Sequence, residues 1–329
     1  MFIRKWCKKL VHFFFWMCLS ATVQASHVRA FEEIKVPVIS FVLASTVSQN
    51  VGKTARVFTE FMHEKLGNEI RFMQMYGDDG LIGADYVSNS EGDGSVFLLS
   101  THTTQNINDL LDNEISYSPE SDFINVGMLG TYSAVLVVPA NSPHMTLASL
   151  IEAIQQKPAD YRFGYHNPIS QICSGLLNYY AGLNVTGRPY KTREILMREM
   201  TQGSIQYAFL DGLYVADLLK TNEVRILATT KKQMDAPMAE RIVSTTSLHP
   251  DFELEGWIGV AAPQNTPAYI IQKMNELLQM ATQDPRLNQV SKQAGIQLKA
   301  MNLREFDQFV KEDRRYWIQR IQKANVRAN

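Results

Sequence analysis

Two short motifs in this chain look like the halves of a nucleotide-phosphate site. Gly52-Lys53-Thr54 follows an apolar run, as the end of a Walker A loop does, and Tyr207–Asp211 (YAFLD) sets an acid behind four apolar residues, as a Walker B strand does. A phosphate-cradling loop also needs a glycine five residues before Gly52, because its backbone N–H groups curl inward only at positive φ. That position is Val47. The pair is a decoy for ATP. What survives is a helix N-terminus behind a strand, an anion site in its own right. Other reactive residue types do not assemble into a catalytic set. No G-x-S-x-G elbow occurs, and no His or Cys pair has metal-ligand spacing. His102 and His166 read as surface or hydrogen-bonded core histidines before they read as bases, and Cys173, beside Ser174 in a helical stretch, as a small buried residue. No enzyme, cofactor or metal is expected.

Strands and helices alternate through most of the length. Apolar runs of strand length occur at Ile39–Ala44, Ile70–Met75, Val96–Leu99, Ala134–Val138, Tyr207–Leu210 and Val224–Ala228. Between and after them, helical periodicity covers Thr54–Leu66, Leu147–Gln156, Ala268–Ala281 and Leu303–Ala324. Thr146 caps the second of these, and Thr266-Pro267 supplies a cap and an N1 proline to the third. Repeated βα units predict a largely parallel sheet covered on both faces, divided between two domains. Ligands of such sheets sit at the carboxyl ends of the strands. The loops after Ala44, Met75, Gly164 and Phe209 are therefore the ones to watch.

The first residues read as an export signal. Arg4, Lys5, Lys8 and Lys9 precede an apolar stretch, Leu10 to Ala21, and then Val23-Gln24-Ala25, a small-x-small cleavage pattern. The stretch is short for a membrane span, and Met17 before Cys18 does not suit a lipobox. Cleavage near Ala25 removes four basic residues and two of the three cysteines. With 28 Lys+Arg left against 33 Asp+Glu, the mature chain is acidic and has no footprint for nucleic acid. Cys173 alone allows no internal disulfide.

In this order the segments resemble the Bug family (TctC-like), the substrate-binding proteins of tripartite tricarboxylate transporters. The residues that carry the resemblance run from about Lys35 to the C-terminus. They are Ala55-Arg56 early in the first helix, Gly77, Gly80 and Gly83, Asp93-Gly94 and Tyr117–Phe123 (YSPESDF). Pro189-Tyr190-Lys191, Gly203, Gly256-Trp257, Ala262-Pro263 and Thr266-Pro267 continue the series. The resemblance implies a type II periplasmic-binding fold: two α/β domains, a ligand cleft and two crossing hinge strands. The domains would be 34–130 with 256–329, and 131–255, with crossings near Leu129–Leu136 and Leu254–Ala261. It also implies a monomer in the periplasm that captures a small carboxylate-bearing metabolite and delivers it to a two-subunit integral membrane permease.

The reading loops depart from the family pattern. Val47-Ser48-Gln49-Asn50-Val51-Gly52 stands where the family has Pro-Gly-Gly-x-x-Asp, and Gly77-Asp78-Asp79-Gly80 where it has Gly-Ala-x-Gly. Asp78 and Asp79 would repel a carboxylate unless solvated, or would receive an amino group, so the ligand is an organic acid or an amino acid. Gly164–Gln171 (GYHNPISQ) replaces Gly-x-Gly-x-x-x-His. The expected ligand contacts are Ser48, Gln49, Asn50, Gly77, Asp78, Asp79 and Gly80 from one domain, and His166, Asn167, Ser170, Gln171, Tyr190 and Asp211 from the other. Two further classes stay open: a ligand-gated adaptor of a sensor kinase, and a degenerate α/β hydrolase.

Overall fold

The computed structural model describes residues 34–44, 49–111, 115–232 and 242–326. The export signal and Ser48 lie outside them. Residues 1–35 and Val36–Asn329 are separate units, and the second carries the fold. Its strands, in chain order, are β1 (Val38–Leu43), β2 (Glu69–Gln74), β3 (Val96–Thr101), β4 (Phe123–Pro139), β5 (Arg162–Tyr165) and β6 (Thr186–Pro189). They continue as β7 (Tyr207–Asp211), β8 (Val224–Thr229), β9 (Val243–Ser244), β10 (Glu255–Pro263) and β11 (Gln297–Leu298).

One strand holds two families of partners. Phe123–Ser133 of β4 runs antiparallel to β10, which in turn pairs with β3; β1 and β2 continue outward in parallel register. From Ala134 onward β4 pairs instead with β7 and β8, and β5 and β6 extend that side in parallel. The expectation of a largely parallel sheet is thus corrected to a mixed one. The βα units are parallel, but they hang on two long strands that run against them. Ala134–Val138 is the second half of a 17-residue strand, because Asn125, Gly127 and Gly130 interrupt the apolar run that sequence reading relies on.

The helices are α1 (Gln49–Leu66), α2 (Leu81–Ser88), α3 (Leu147–Gln156), α4 (Pro168–Ala181), α5 (Arg193–Thr201), α6 (Gly212–Thr221), α7 (Ala268–Ala281), α8 (Pro285–Gln293) and α9 (Leu303–Ala324). Caps explain several of the starts. The Thr146 hydroxyl accepts from Ser149 N–H, and Asn302 closes α9 with Glu305 in the same reciprocal box. Two boundaries differ from the sequence reading. α1 begins at Gln49, so Gly52-Lys53-Thr54 lies inside the helix. At α7 the cap position belongs to Pro267, and the Thr266 hydroxyl donates to Pro263 O at 2.7 Å.

A buried carboxylate ties α9 to the strand ends. Asp313 Oδ2 accepts from Trp257 Nε1 at 2.7 Å, Trp317 Nε1 at 3.0 Å and Asn106 Nδ2 at 2.8 Å. The His102 ring stacks on Trp317 with centroids 5.3 Å apart. Asp313→Ala strands three buried N–H donors. At about 1 kcal/mol or more for each, near the low end for an unsatisfied group, we expect a loss of about 3 kcal/mol. In a thermal melt that is a fall of roughly 6–12 °C. An unchanged melting curve would show that the donors find other acceptors.

Candidate ligand-binding site

Of the loops singled out from sequence, those after Met75, Gly164 and Phe209 follow the carboxyl ends of parallel strands, and residues 45–48 lie outside the described ones. On the β5–β7 side, Asn167 is the cap of α4: its Oδ1 accepts from Ser170 N–H at 2.9 Å. That bond fixes which end of the amide is nitrogen. Asn167 Nδ2 then donates to Asp211 Oδ2 at 3.0 Å and, at 3.4 Å, faces His166 Nε2. With Nε2 accepting, the neutral imidazole carries its proton on Nδ1. Two buried atoms of this chain of three have no partner within the protein: His166 Nδ1, a donor, and Asp211 Oδ1, an acceptor. Asp211 is 6% exposed at the end of β7.

The other residues expected on this side are placed differently. Ser170 Oγ accepts from His166 N and Asn167 N and donates to Asn167 O, so its hydroxyl is fully engaged in shaping the turn. Gln171 faces away, lining a depression with Asn178, Tyr179 and Lys323. Tyr190 packs against the cluster formed by Leu196, Met197 and Ile205, with Arg188 over its ring; its hydroxyl is buried without a partner.

On the β1–β3 side, Gln49 is exposed and Asn50 buried in the first turn of α1. Gly77–Gly80 makes a tight turn, with Gly80 N donating to Gly77 O at 2.9 Å. Asp79 (φ 51) and Gly80 (φ 92) are left-handed there. A Cβ on Gly80 would lie 2.8 Å from Ala44 O and 2.9 Å from Thr104, so only glycine lets the three loops meet. Asp79 is exposed, and its carbonyl accepts from Asn108 Nδ2 at 3.2 Å.

The sequence reading missed the segment behind β3. Ser100, His102, Thr104, Gln105, Asn106 and Asn108 are all at most 2% exposed, around a π-turn at Thr103–Ile107. Ser100 Oγ, His102 Nε2, Gln105 Nε2 and Asn108 Oδ1 lack partners within the protein. Sequence carried no signal for this burial, because a polar run after a strand ordinarily reads as an exposed loop. Tyr132 and Tyr214 were missed too; the Tyr132 ring bridges His102 (5.9 Å) and Gly256.

Burial dominates the electrostatics. It pushes His102 and His166 down to about 4, so both are neutral donors at pH 7, with Arg193 depressing His166 further. It pushes Asp211 up to about 6; the Asn167 bond and Arg193 oppose this, and the charge of Asp79 adds to it. Arg193 lies 4.0 Å from the Tyr214 ring and pairs with Glu194 at 2.7 Å. Burial also holds the Cys173 thiol well above its usual range, so it is inert. Among the described residues no cluster could hold a metal ion, and no helix is long and apolar enough to cross a membrane.

A carboxyl whose folded pKa is raised stabilises the fold when protonated. That contribution is lost as pH rises through about 6. Over about two pK units it amounts to roughly 3 kcal/mol. Asp211→Asn keeps the bond to Asn167 and abolishes the titration. In urea melts its stability relative to the parent should therefore rise between pH 4 and pH 8. Asp313 titrates in both proteins and cancels; parallel curves would show that Asp211 is solvated.

The family model of the tripartite tricarboxylate transporter family receptor matches residues 54–326. A UPF0065 protein of Agrobacterium vitis is 30% identical over 234 residues, 70% of this chain and 67% of that one. Among solved structures, Rpa4515 of R. palustris with adipate has a TM-score of 0.80 at 21% identity, covering 88% of this chain and 98% of that one. MatC of Rhodopseudomonas palustris with bound malate has 0.75 at 19%, covering 87% and 99%. At such identities the likeness shows the fold, the α/β fold of periplasmic binding proteins. With its motifs, its sheet and its family match in agreement, the chain belongs to the tripartite tricarboxylate transporter family receptors, a class that binds solutes rather than transforming them.

Proposed function

We propose that this receptor captures a small carboxylate-bearing metabolite in the periplasm and hands it to a two-subunit membrane permease. The observation that carries the reading is the set of buried, unpartnered polar atoms behind the carboxyl ends of β3, β5 and β7: Ser100 Oγ, His102 Nε2, His166 Nδ1 and Asp211 Oδ1 among them. Leaving each such group unsatisfied costs about 1–3 kcal/mol, so a site that gathers several is built for an occupant that pairs with them. The two structural neighbours hold adipate and malate, both small organic acids, which supports that class of solute. An export signal ending near Ala25 fits the compartment. Capture would proceed by closing 131–255 onto 34–130 with 256–329 about the two long strands. The change of partners on β4 between Ser133 and Ala134 supports a bend there.

The purified receptor, titrated calorimetrically with a panel of organic acids and amino acids, should bind at least one at micromolar strength. His166→Ala removes one neutral donor and should weaken that ligand about tenfold, the worth of roughly one well-made hydrogen bond. Heat from no member of the panel would sink the reading.

A further inference from the structure

We infer that the receptor docks onto its membrane permease through the outer face of α2, with Tyr76 beside it. The permease meets this face with basic side chains around an apolar centre. The inference rests on the delivery half of the function proposed above and adds where delivery takes place. Two observations support it. The first is an apolar patch. Tyr76 is 63% exposed, Ile82 46% and Tyr86 40%, and no other short span of the described residues holds three exposed large apolar side chains. Ile82 and Tyr86 stand one turn apart on α2. Ile82 also lies against Gly77, the neighbour of Tyr76, where an added Cβ would be 2.5 Å from its Cδ1. Gly83, Ala84 and Val87 are buried on the opposite face of the helix, with Gly83 abutting Ala44. The outward side chains are thus held on a helix that cannot turn them inward. An exposed apolar patch of this kind marks an interaction site, and tyrosine is enriched at the centres of such sites.

The second observation is charge. From Phe72 to Gln156 the chain has no lysine or arginine, while Asp79, Asp85, Glu91 and Asp93 flank or lie on α2. Among the described residues no cation pairs with Asp85, Glu91 or Asp93; Arg314 of α9 goes instead to Asp109 and Glu120. An apolar centre with an acidic rim selects its partner. Two receptors joined about a two-fold axis through this face would set acid against acid. An anionic lipid surface is repelled for the same reason. A protein patch of lysine and arginine around apolar side chains suits both parts. Position favours the permease as the owner of that patch. Gly77–Gly80 opens α2, and the solute-binding reading sets the same turn against the solute. A partner on α2 therefore touches the element that capture itself engages.

Binding and uptake measured on the same variants test this. Tyr86→Ala and the double variant Asp85→Lys/Glu91→Lys should bind the solute found by calorimetry within about twofold of the parent. In cells where either variant replaces the receptor, uptake of that solute, isotopically labelled, should fall at least about tenfold. A benzophenone on Tyr86→Cys, the other described cysteine being buried, should crosslink the receptor to a permease subunit in spheroplasts. The yield should drop as salt is raised. Uptake equal to the parent's in both variants overturns the inference and leaves the solute-binding reading standing. A crosslink to a second copy of the receptor, or to a sensor kinase, overturns it as well. If the parent binds a solute that its cells do not take up, delivery itself falls. If the parent binds none, the solute-binding reading falls and this inference with it.

Discussion

In Asn167 a single amide closes the first turn of α4 with its oxygen and holds the buried Asp211 carboxylate with its nitrogen. Each task fixes the other. A helix N-terminus needs an acceptor for its free N–H groups, and a cap supplies about 1 kcal/mol. Because the oxygen is engaged there, the nitrogen has one direction left, and Asp211 lies in it. The tautomer of His166 follows from the same constraint. The orientation of the whole β5–β7 side is therefore set by helix capping, a local and inexpensive interaction, rather than by contacts made only when a ligand arrives. That is preorganisation in its plainest form.

Two buried aspartates show what satisfaction means. Asp313 and Asp211 are both lifted to about 6 by burial. Asp313 gathers three N–H donors on one oxygen and joins α9 to β10 and to the turn behind β3. Asp211 has one donor on Oδ2 and none on Oδ1. The first pattern belongs to a fold determinant, the second to a group that is held at a cost until something pairs with it. Similar acidity thus accompanies opposite roles, and only the count of partners separates them.

Much of the scaffold could be read from residues, and the site much less. Apolar runs located β1, β2, β3, the second half of β4, β7 and β8, because covered strands need them. α3 and α9 were placed to the residue, since Thr146 caps one and the stripe Phe306, Val310 and Trp317 marks the other. The antiparallel courses of β4 and β10 were not legible, because strand direction is a tertiary property with no periodicity of its own. At the site, Asn167, His166 and Asp211 were named as available polar groups, but Ser170 and Gln171 stood beside them with equal claim. Sequence could not tell that the Ser170 hydroxyl is engaged by its own turn, or that Gln171 faces another surface. The polar run after β3 was not singled out, because polarity usually means exposure; here His102 and Thr104–Asn108 are inside.

The glycines of the β2 turn hold a backbone frame on which the side chains between them are not sterically restricted. Gly80 is buried, left-handed and within 3 Å of Ala44 O and the Thr104 methyl in projected Cβ distance. Any side chain there would push apart the loops that follow β1, β2 and β3. Gly83 is under the same restriction against Ala44 and Met75 O. Between Gly77 and Gly80, by contrast, Asp79 is exposed, and its backbone is held by Asn108 regardless of the side chain it bears. Steric necessity thus fixes the backbone of the turn and leaves its side chains free to vary.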